Sequence, residues 1–197
     1  EGLSQRTAPI LVDCFSDSKS TFLLLEELQR RIHYGEDVHT KYLLSVTLQL
    51  LNKFEYDFAK IAFLVDELSL RAEEKEIRSL MLVIFSLLEK KYGAQFNNRF
   101  LTKVNSLIMQ SQADIGNEPL SLLVDILTEL YPVLTALCSE VFLGEQLVHE
   151  FKRKVLSQDD EDFIKRLLNL FSIACIDETV RVYIAEQYVP LLKQSLK

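Results

Sequence analysis

Apolar residues recur every three or four positions along almost the whole chain. Phe22, Leu25, Leu28 and Ile32 form one such stripe, and the segment 58–68 carries another. This spacing places apolar side chains on one face of an α-helix, and no long run alternates with period two, so the pattern predicts an all-α protein. The predicted helices cover residues 5–15, 19–33, 38–53, 57–71, 73–92, 95–111, 119–130, 132–142, 144–156, 160–174, 177–186 and 188–196.

Short breaks between the predicted helices contain residues that are typical of helix ends. Gly35, Gly93 and Gly116 each follow a helical stretch, where a glycine can adopt the left-handed conformation that ends a helix. Pro132 is predicted to stand in the first turn of a helix. The acidic run 159–162 precedes another apolar stretch, and we expect it to complement the positive end of that helix rather than to bind a metal or a substrate.

The helical pattern repeats with a period near 40 residues. Apolar positions align in two registers, 127–155 on 164–192 at a shift of 37, and 56–68 on 96–108 at a shift of 40. In the first register Cys138 falls on Cys175. Two or three helices per unit at this period are typical of armadillo and HEAT arrays, in which neighbouring units share one core. We therefore predict a single armadillo/HEAT-like α-solenoid of about four to five repeats over residues 1–197, with an irregular four-helix-bundle assembly as the alternative.

Composition and charge narrow the classes of function. The chain has 197 residues, of which 48% are hydrophobic and 26% charged, so it can bury a sizeable core. Its net charge of −7 argues against a nucleic-acid-binding protein, and the triplet Lys152-Arg153-Lys154 falls at a predicted helix end. Three widely spaced cysteines are typical of free thiols in a reducing compartment, so we expect a cytoplasmic protein. No apolar stretch predicts membrane insertion or a signal peptide.

The two ends of the sequence suggest that the chain is part of a longer one. It begins without an initiator methionine and ends on "YVPLLKQSLK", with no capping glycine or polar tail. We therefore expect a fragment, from the N-terminal or central part of the whole protein. Because end repeats expose an uncovered face, such a fragment is expected to self-associate.

The stretch "RIHYGEDVH", residues 31–39, is the strongest candidate for chemistry. His33 and His39 bracket a turn with two acids, and Cys14 lies upstream, so a metal-dependent enzyme is one hypothesis. The two histidines are six residues apart rather than four, which is not the spacing of ligands on one helix face. The favoured interpretation is a helix that stops at Gly35 and a second helix that Asp37 caps. No cofactor is predicted.

The remaining chemical motifs are absent or have structural explanations. The sequence has no G-x-S-x-G elbow and no glycine-rich phosphate loop, and Cys175 lies in an apolar run. Four tyrosines fall near predicted helix ends, where a tyrosine can anchor a partner or pack between repeats; they are Tyr34, Tyr42, Tyr131 and Tyr183.

Several segments, taken together and in order, resemble the fungal members of the UCS family of myosin chaperones. None is a chemical motif; each is a helix or corner sequence, and the match extends from about residue 31 to 197. The segments are "RIHYGED", "LLSVTLQLLNKFEYDF", "DIGNEPLS", "LTELYPVLTALCSEVFL" and "ACIDETVRVYI".

The resemblance implies a non-catalytic armadillo-repeat chaperone that binds the myosin motor domain and supports its folding and actin-based function. It also implies links to the Hsp90 and Hsp70 chaperones, with the client groove in repeats that follow this segment. The segment itself would be a scaffold and a possible homodimerisation region, and no partner-binding residue is assigned. Without the resemblance, a generic α-solenoid adaptor in trafficking or transport remains the second hypothesis.

Overall fold

The computed structural model describes residues 2–34, 37–70, 75–113, 118–157 and 161–195, and this part of the chain is helical with no strand. The helices are α1 (Gly2–Asp13), α2 (Phe22–Tyr34), α3 (Asp37–Lys53), α4 (Phe58–Ile61), α5 (Phe63–Leu70), α6 (Lys75–Tyr92), α7 (Ala94–Ala113), α8 (Glu118–Leu130), α9 (Thr135–Phe142), α10 (Glu145–Ser157), α11 (Glu161–Ala174), α12 (Glu178–Gln187) and α13 (Val189–Ser195). The all-α armadillo-like prediction is confirmed.

The chain divides into two compact units, residues 1–100 and 101–197. In the first unit, α3 packs against α1, α2 and α6, while α5 packs against α2 and α6. In the second unit, α8 packs against α9 and α11, and α10 packs against α9 and α13. A repeat array can be divided into compact units at many points along its length, so this division does not test the prediction of one armadillo-like region. That prediction stays a prediction.

One predicted helix is divided in the structure at a point where several of its faces are buried. The predicted helix 57–71 is two helices, α4 and α5, separated at Ala62, whose φ of −58° and ψ of −26° remain helical. Ile61, Phe63 and Leu64 are all buried around this point, so more than one face of the segment contacts the core. The break is therefore a single turn residue with helical dihedral angles, and the amide of Val65 donates to its carbonyl over 3.0 Å.

The predicted start of a helix at Pro132 is wrong. Helix α9 begins at Thr135, and Pro132 lies in a turn that follows α8. The amides of Val133 and Leu134 both donate to the carbonyl of Leu130, which closes this turn. Proline suits the turn because it has no amide hydrogen to satisfy.

The helix bounds also correct the repeat register in the second unit. Cys138 lies inside α9, whereas Cys175 follows the last residue of α11, so the shift of 37 that aligns them is wrong. Helices α8 and α11 begin 43 residues apart, at Glu118 and Glu161. The shift of 37 matched apolar positions on helices that do not correspond, because any two amphipathic helices align at several shifts.

The predicted helix end at Gly93 and the acidic start of the helix after residue 160 are confirmed. Gly93 has a φ of +45°, and its amide donates to the carbonyl of Glu89 over 2.8 Å, as expected for a glycine that ends α6. Glu161 and Asp162 lie in the first turn of α11. Gly35, Gly116 and the first two residues of the acidic run lie outside the described residues.

Candidate functional site

His33, the first of the two candidate histidines, pairs with a carboxylate of the neighbouring repeat. It lies in the last turn of α2, and its Nδ1 is 3.2 Å from Oε1 of Glu67 on α5. The imidazole is exposed and meets the ring of Tyr34 edge-on, with 5.3 Å between the centroids. His39 lies in α3, but its side chain is outside the described residues. The structure therefore gives His33 a carboxylate partner that sequence spacing did not indicate.

The described residues bring no metal-ligand group together around this stretch. Among them no three histidine, cysteine, aspartate or glutamate side chains could share a metal ion. The Cys14 thiol is exposed and donates to the carbonyl of Ile10 over 3.4 Å. Burial raises the pKa of Cys138 to about 12, so this thiol stays protonated and is a poor nucleophile. The hypothesis of an enzyme at His33 and His39 thus gains no support from these residues.

The four candidate tyrosines fall into different environments. Tyr34 is 71% exposed, whereas Tyr42 and Tyr183 are half-buried. Tyr131 is buried, which agrees with the packing alternative and not with a partner anchor. Its hydroxyl lies 2.7 Å from Oγ of Ser139, and Ser139 donates in turn to Asp177 over 2.7 Å. Tyr131 is therefore a packing residue with a satisfied hydroxyl, and Tyr34 is the tyrosine best placed to contact a partner.

An open groove of about 410 Å³ lies between α2 and α5 beside Tyr34. Its lining comprises Glu26, Gln29, Arg30, His33, Tyr34 and Glu67. Leu23 lies on the same face of α2, because eleven residues correspond to about three helical turns. Leu23 and Tyr34 are 76% and 71% exposed, which leaves one large apolar side chain at each end of this face. We call this face and the groove beside it the α2 groove.

Some charged side chains along the α2 groove have an ion-pair partner on the same helix, and one carboxylate has none among the described residues. Glu27 accepts hydrogen bonds from Arg30 at 2.9 Å and from Arg31 at 2.6 Å, and these bonds lower its pKa to about 2. Glu26 is exposed, and its carboxylate has no ion pair or hydrogen bond within the described part of the chain. The two arginines are thus compensated within α2, while Glu26 and Glu67 give the groove an acidic character.

Two lysines that the sequence patterns did not single out donate hydrogen bonds to carbonyls at the ends of earlier helices. The Lys53 ammonium donates to the carbonyl of Val12 over 3.1 Å, at the end of α1. The Lys91 ammonium donates to the carbonyls of Leu51 and Phe54, at the end of α3. Both lysines lie near the end of a predicted helix, 41 and 40 residues after the carbonyls to which they donate. This shared position is the feature of the sequence that could have indicated their role.

The second unit has a related contact, made by arginine. Arg153 on α10 donates to the carbonyl of Ser111 on α7 over 3.3 Å, across 42 residues. The same guanidinium holds the buried carboxylate of Glu150 at 2.7 Å. These contacts show that side chains of one repeat satisfy backbone groups of another at nearly the same sequence separation in both units.

Comparisons with known proteins agree with the repeat architecture. Residues 37–197 match the UNC45-central family, described as the central region of a myosin-binding striated muscle assembly protein. The chain is 50% identical over 196 residues to the SWI5-dependent HO expression protein 4 of Saccharomyces cerevisiae, covering 100% of this chain and 25% of that protein. The crystal structure of She4p matches with a TM-score of 0.91 at 50% identity, over 99% of this chain and 26% of that one. The chain spans about a quarter of the length of these relatives.

Proposed function

This chain belongs to the UNC45-central family of UCS myosin chaperones, and we propose that it is the scaffold segment of a chaperone that binds the myosin motor domain. The whole protein would support the folding and the actin-based function of the motor, in the cytoplasm and together with Hsp90 and Hsp70. This segment would contribute no catalysis. It would hold the client-binding repeats in a fixed arrangement, and the client would contact repeats other than these.

The observation that carries the scaffold role is the satisfaction of helix ends between repeats. Lys53, Lys91 and Arg153 each donate to a carbonyl about 40 residues earlier, at the end of another helix. Such contacts fix neighbouring helices at their ends, while the shared apolar core fixes their faces. A rigid segment suits a spacer, because a flexible one could not set the position of the repeats that follow it.

The chaperone proposal is tested with the full-length protein and a purified myosin motor domain. We expect the full-length protein to capture the motor in a pull-down and to suppress its heat-induced light scattering, and the 197-residue chain alone to do neither. Full-length protein that neither captures nor protects the motor would overturn the proposal. Capture by the 197-residue chain alone would instead place client binding within this segment and overturn the scaffold role.

We also propose that this segment contributes to homodimerisation. Large exposed apolar residues are available in both units, including Ile10 on α1, 66% exposed, in the first and Ile176, 77% exposed, in the turn between α11 and α12 in the second. The mass of the 197-residue chain and of the full-length protein in sedimentation experiments should rise toward that of a dimer with concentration. A constant monomer mass for both would remove dimerisation and leave the chaperone proposal intact.

A further inference from the structure

The α2 groove has the dimensions of a helix-binding site. Leu23 and Tyr34 lie at the two ends of one exposed face, about 16 Å apart along the axis at the α-helical rise. Between them the groove opens toward α5, where Glu67 forms the opposite side. Partner helices that bind in grooves use apolar anchors repeated over about three turns, and tyrosine is a frequent anchor residue.

The charges of the groove select the chemistry of its occupant. The Glu26 carboxylate is exposed and has no ion pair in the described part of the chain, and Glu67 faces it from α5 with His33 as its partner at 3.2 Å. An acidic partner would meet two carboxylates, whereas a basic side chain could pair with either. The nearest cation, Arg30, is already bound by both oxygens of Glu27 at 2.9 Å.

We propose that the α2 groove binds a basic amphipathic helix of a partner protein. The apolar side of that helix would contact Leu23 and Tyr34, and a lysine or arginine would pair with Glu26 and Glu67. A second copy that presents its own α2 fits less well, because the arginines of that helix are held by Glu27. This inference goes beyond the proposed function and does not depend on myosin binding.

The test uses the 197-residue chain and two labelled helical peptides of about 18 residues. Both peptides carry the same leucine face; one has lysines on its polar face and the other has glutamates. Fluorescence anisotropy should show saturable binding of the lysine peptide and at least about tenfold weaker binding of the glutamate peptide. The double variant Leu23→Ala/Tyr34→Ala should weaken binding of the lysine peptide at least about tenfold, and Glu26→Gln about threefold.

Two control variants outside the groove distinguish binding in the groove from nonspecific peptide binding. Val83→Ala removes a half-exposed apolar residue of α6, and Glu186→Gln removes an exposed carboxylate of α12; each should change the affinity less than about twofold. Equal binding of both peptides, no saturable binding, or an unchanged affinity of the double variant would overturn the proposal. Sedimentation of the double variant adds one outcome: a wild-type dimer that becomes monomeric on loss of Leu23 and Tyr34 would assign the groove to a second copy and overturn the basic-helix occupant.

Discussion

Two corners, one in each unit, each cap a helix with an aspartate but differ in the side chains around that cap. In the first unit the corner between α3 and α4 contains Tyr56, whose hydroxyl lies 2.7 Å from that of Thr21 and whose amide donates to the Tyr92 hydroxyl over 3.2 Å. The Lys91 ammonium closes the same corner from α6. The carboxylate of Asp57 caps α4 by accepting from a backbone amide of its first turn over 3.1 Å. The other polar contacts of this corner come from neutral hydroxyls and one cation, contributed from both sides along the chain.

In the second unit the corner between α11 and α12 depends on a carboxylate. Asp177 accepts from the amides of Thr179 at 2.9 Å and Val180 at 3.2 Å, and thus caps α12. It also accepts a hydrogen bond from the Ser139 hydroxyl, which lies 2.7 Å from the Tyr131 hydroxyl. Both corners thus place an aspartate before the following helix, whereas the side chains that complete the corner differ: hydroxyls and a lysine in the first unit, and a serine that bonds to the aspartate itself in the second.

The cores of the two units differ as well. In the first unit three rings meet around Phe85, which lies 5.5 Å from Phe96 and 6.0 Å from Phe100. In the second unit a larger cluster links α9, α10, α11 and the turn before α13, with 4.8 Å between the centroids of Phe171 and Tyr188. Phe142 and Phe151 belong to the same cluster, at 6.3 and 6.4 Å from Tyr188. We therefore expect the second unit to depend more on ring packing and the first more on polar contacts at its corner.

The largest effect should come from the ring cluster of the second unit. Phe151→Ala removes a buried ring that contacts Phe142 and Tyr188, and should lower the free energy of unfolding by about 3–5 kcal/mol. Urea denaturation followed by circular dichroism measures the change. Ile176→Ala, which shortens an exposed side chain, should stay within about 0.5 kcal/mol. A comparable loss in both variants would mean that the ring cluster has no special role.

The corner of the first unit is tested by removing its cation. Lys91→Met leaves the carbonyls of Leu51 and Phe54 without this donor, and we expect a loss of about 1–3 kcal/mol in the same denaturation measurement. Lys90→Met changes an exposed neighbour on α6 and provides the matched control, with an expected change below about 0.5 kcal/mol. Indistinguishable stabilities of the two variants would show that water satisfies these carbonyls equally well.

A smaller and pH-dependent effect on stability should come from the corner of the second unit. The hydrogen bond from Ser139, followed by that from the Val180 amide, lowers the pKa of Asp177 below its ordinary value. The stabilisation from its charge is therefore present above the unfolded-state pKa of about 3.9 and is lost as the pH falls through the folded-state pKa. Asp177→Asn should lower the Tm at pH 7, and the difference from wild type should shrink below about pH 4.

The control for this pH dependence is Glu186→Gln, on the same helix. Its carboxylate is exposed and has no partner in the part of the chain that the structure describes, so we expect little change in Tm at either pH. A difference between Asp177→Asn and wild type that persists unchanged into acid would show that the charge of Asp177 does not stabilise the corner.

The smallest expected effect on stability concerns two buried tyrosine hydroxyls, one with a hydrogen-bond partner and one without. The Tyr188 hydroxyl is buried and has no hydrogen-bond partner among the described residues, whereas Tyr131 pairs with Ser139. Tyr188→Phe should therefore be neutral or stabilise by up to about 1 kcal/mol, while Tyr131→Phe should cost about 1 kcal/mol. Thermal unfolding measures both changes, and a larger loss for Tyr188→Phe than for Tyr131→Phe would contradict the assignment of partners.

The sequence by itself determined the helical class, a repeat period near 40 residues and the family. Amphipathic spacing and end-of-helix residues such as Gly93 depend on interactions within a few residues, so they can be read locally. Helix α6 was predicted as 73–92 and is observed from Lys75 to Tyr92 for this reason. The order of helix and corner segments also sufficed to identify the UCS family.

Only the tertiary structure decided which side chains meet across repeats. The pairing of His33 with Glu67, the burial of Tyr131 and the reach of Lys91 to α3 connect residues eight to forty positions apart. The stacking of helices sets these contacts, and a difference of a few residues in repeat length changes every partner. A period of about 40 residues in the apolar positions is enough to predict the fold class, because burial tolerates a difference of a few residues in repeat length. Hydrogen bonds require defined distances and angles, so their partners cannot be predicted from that period.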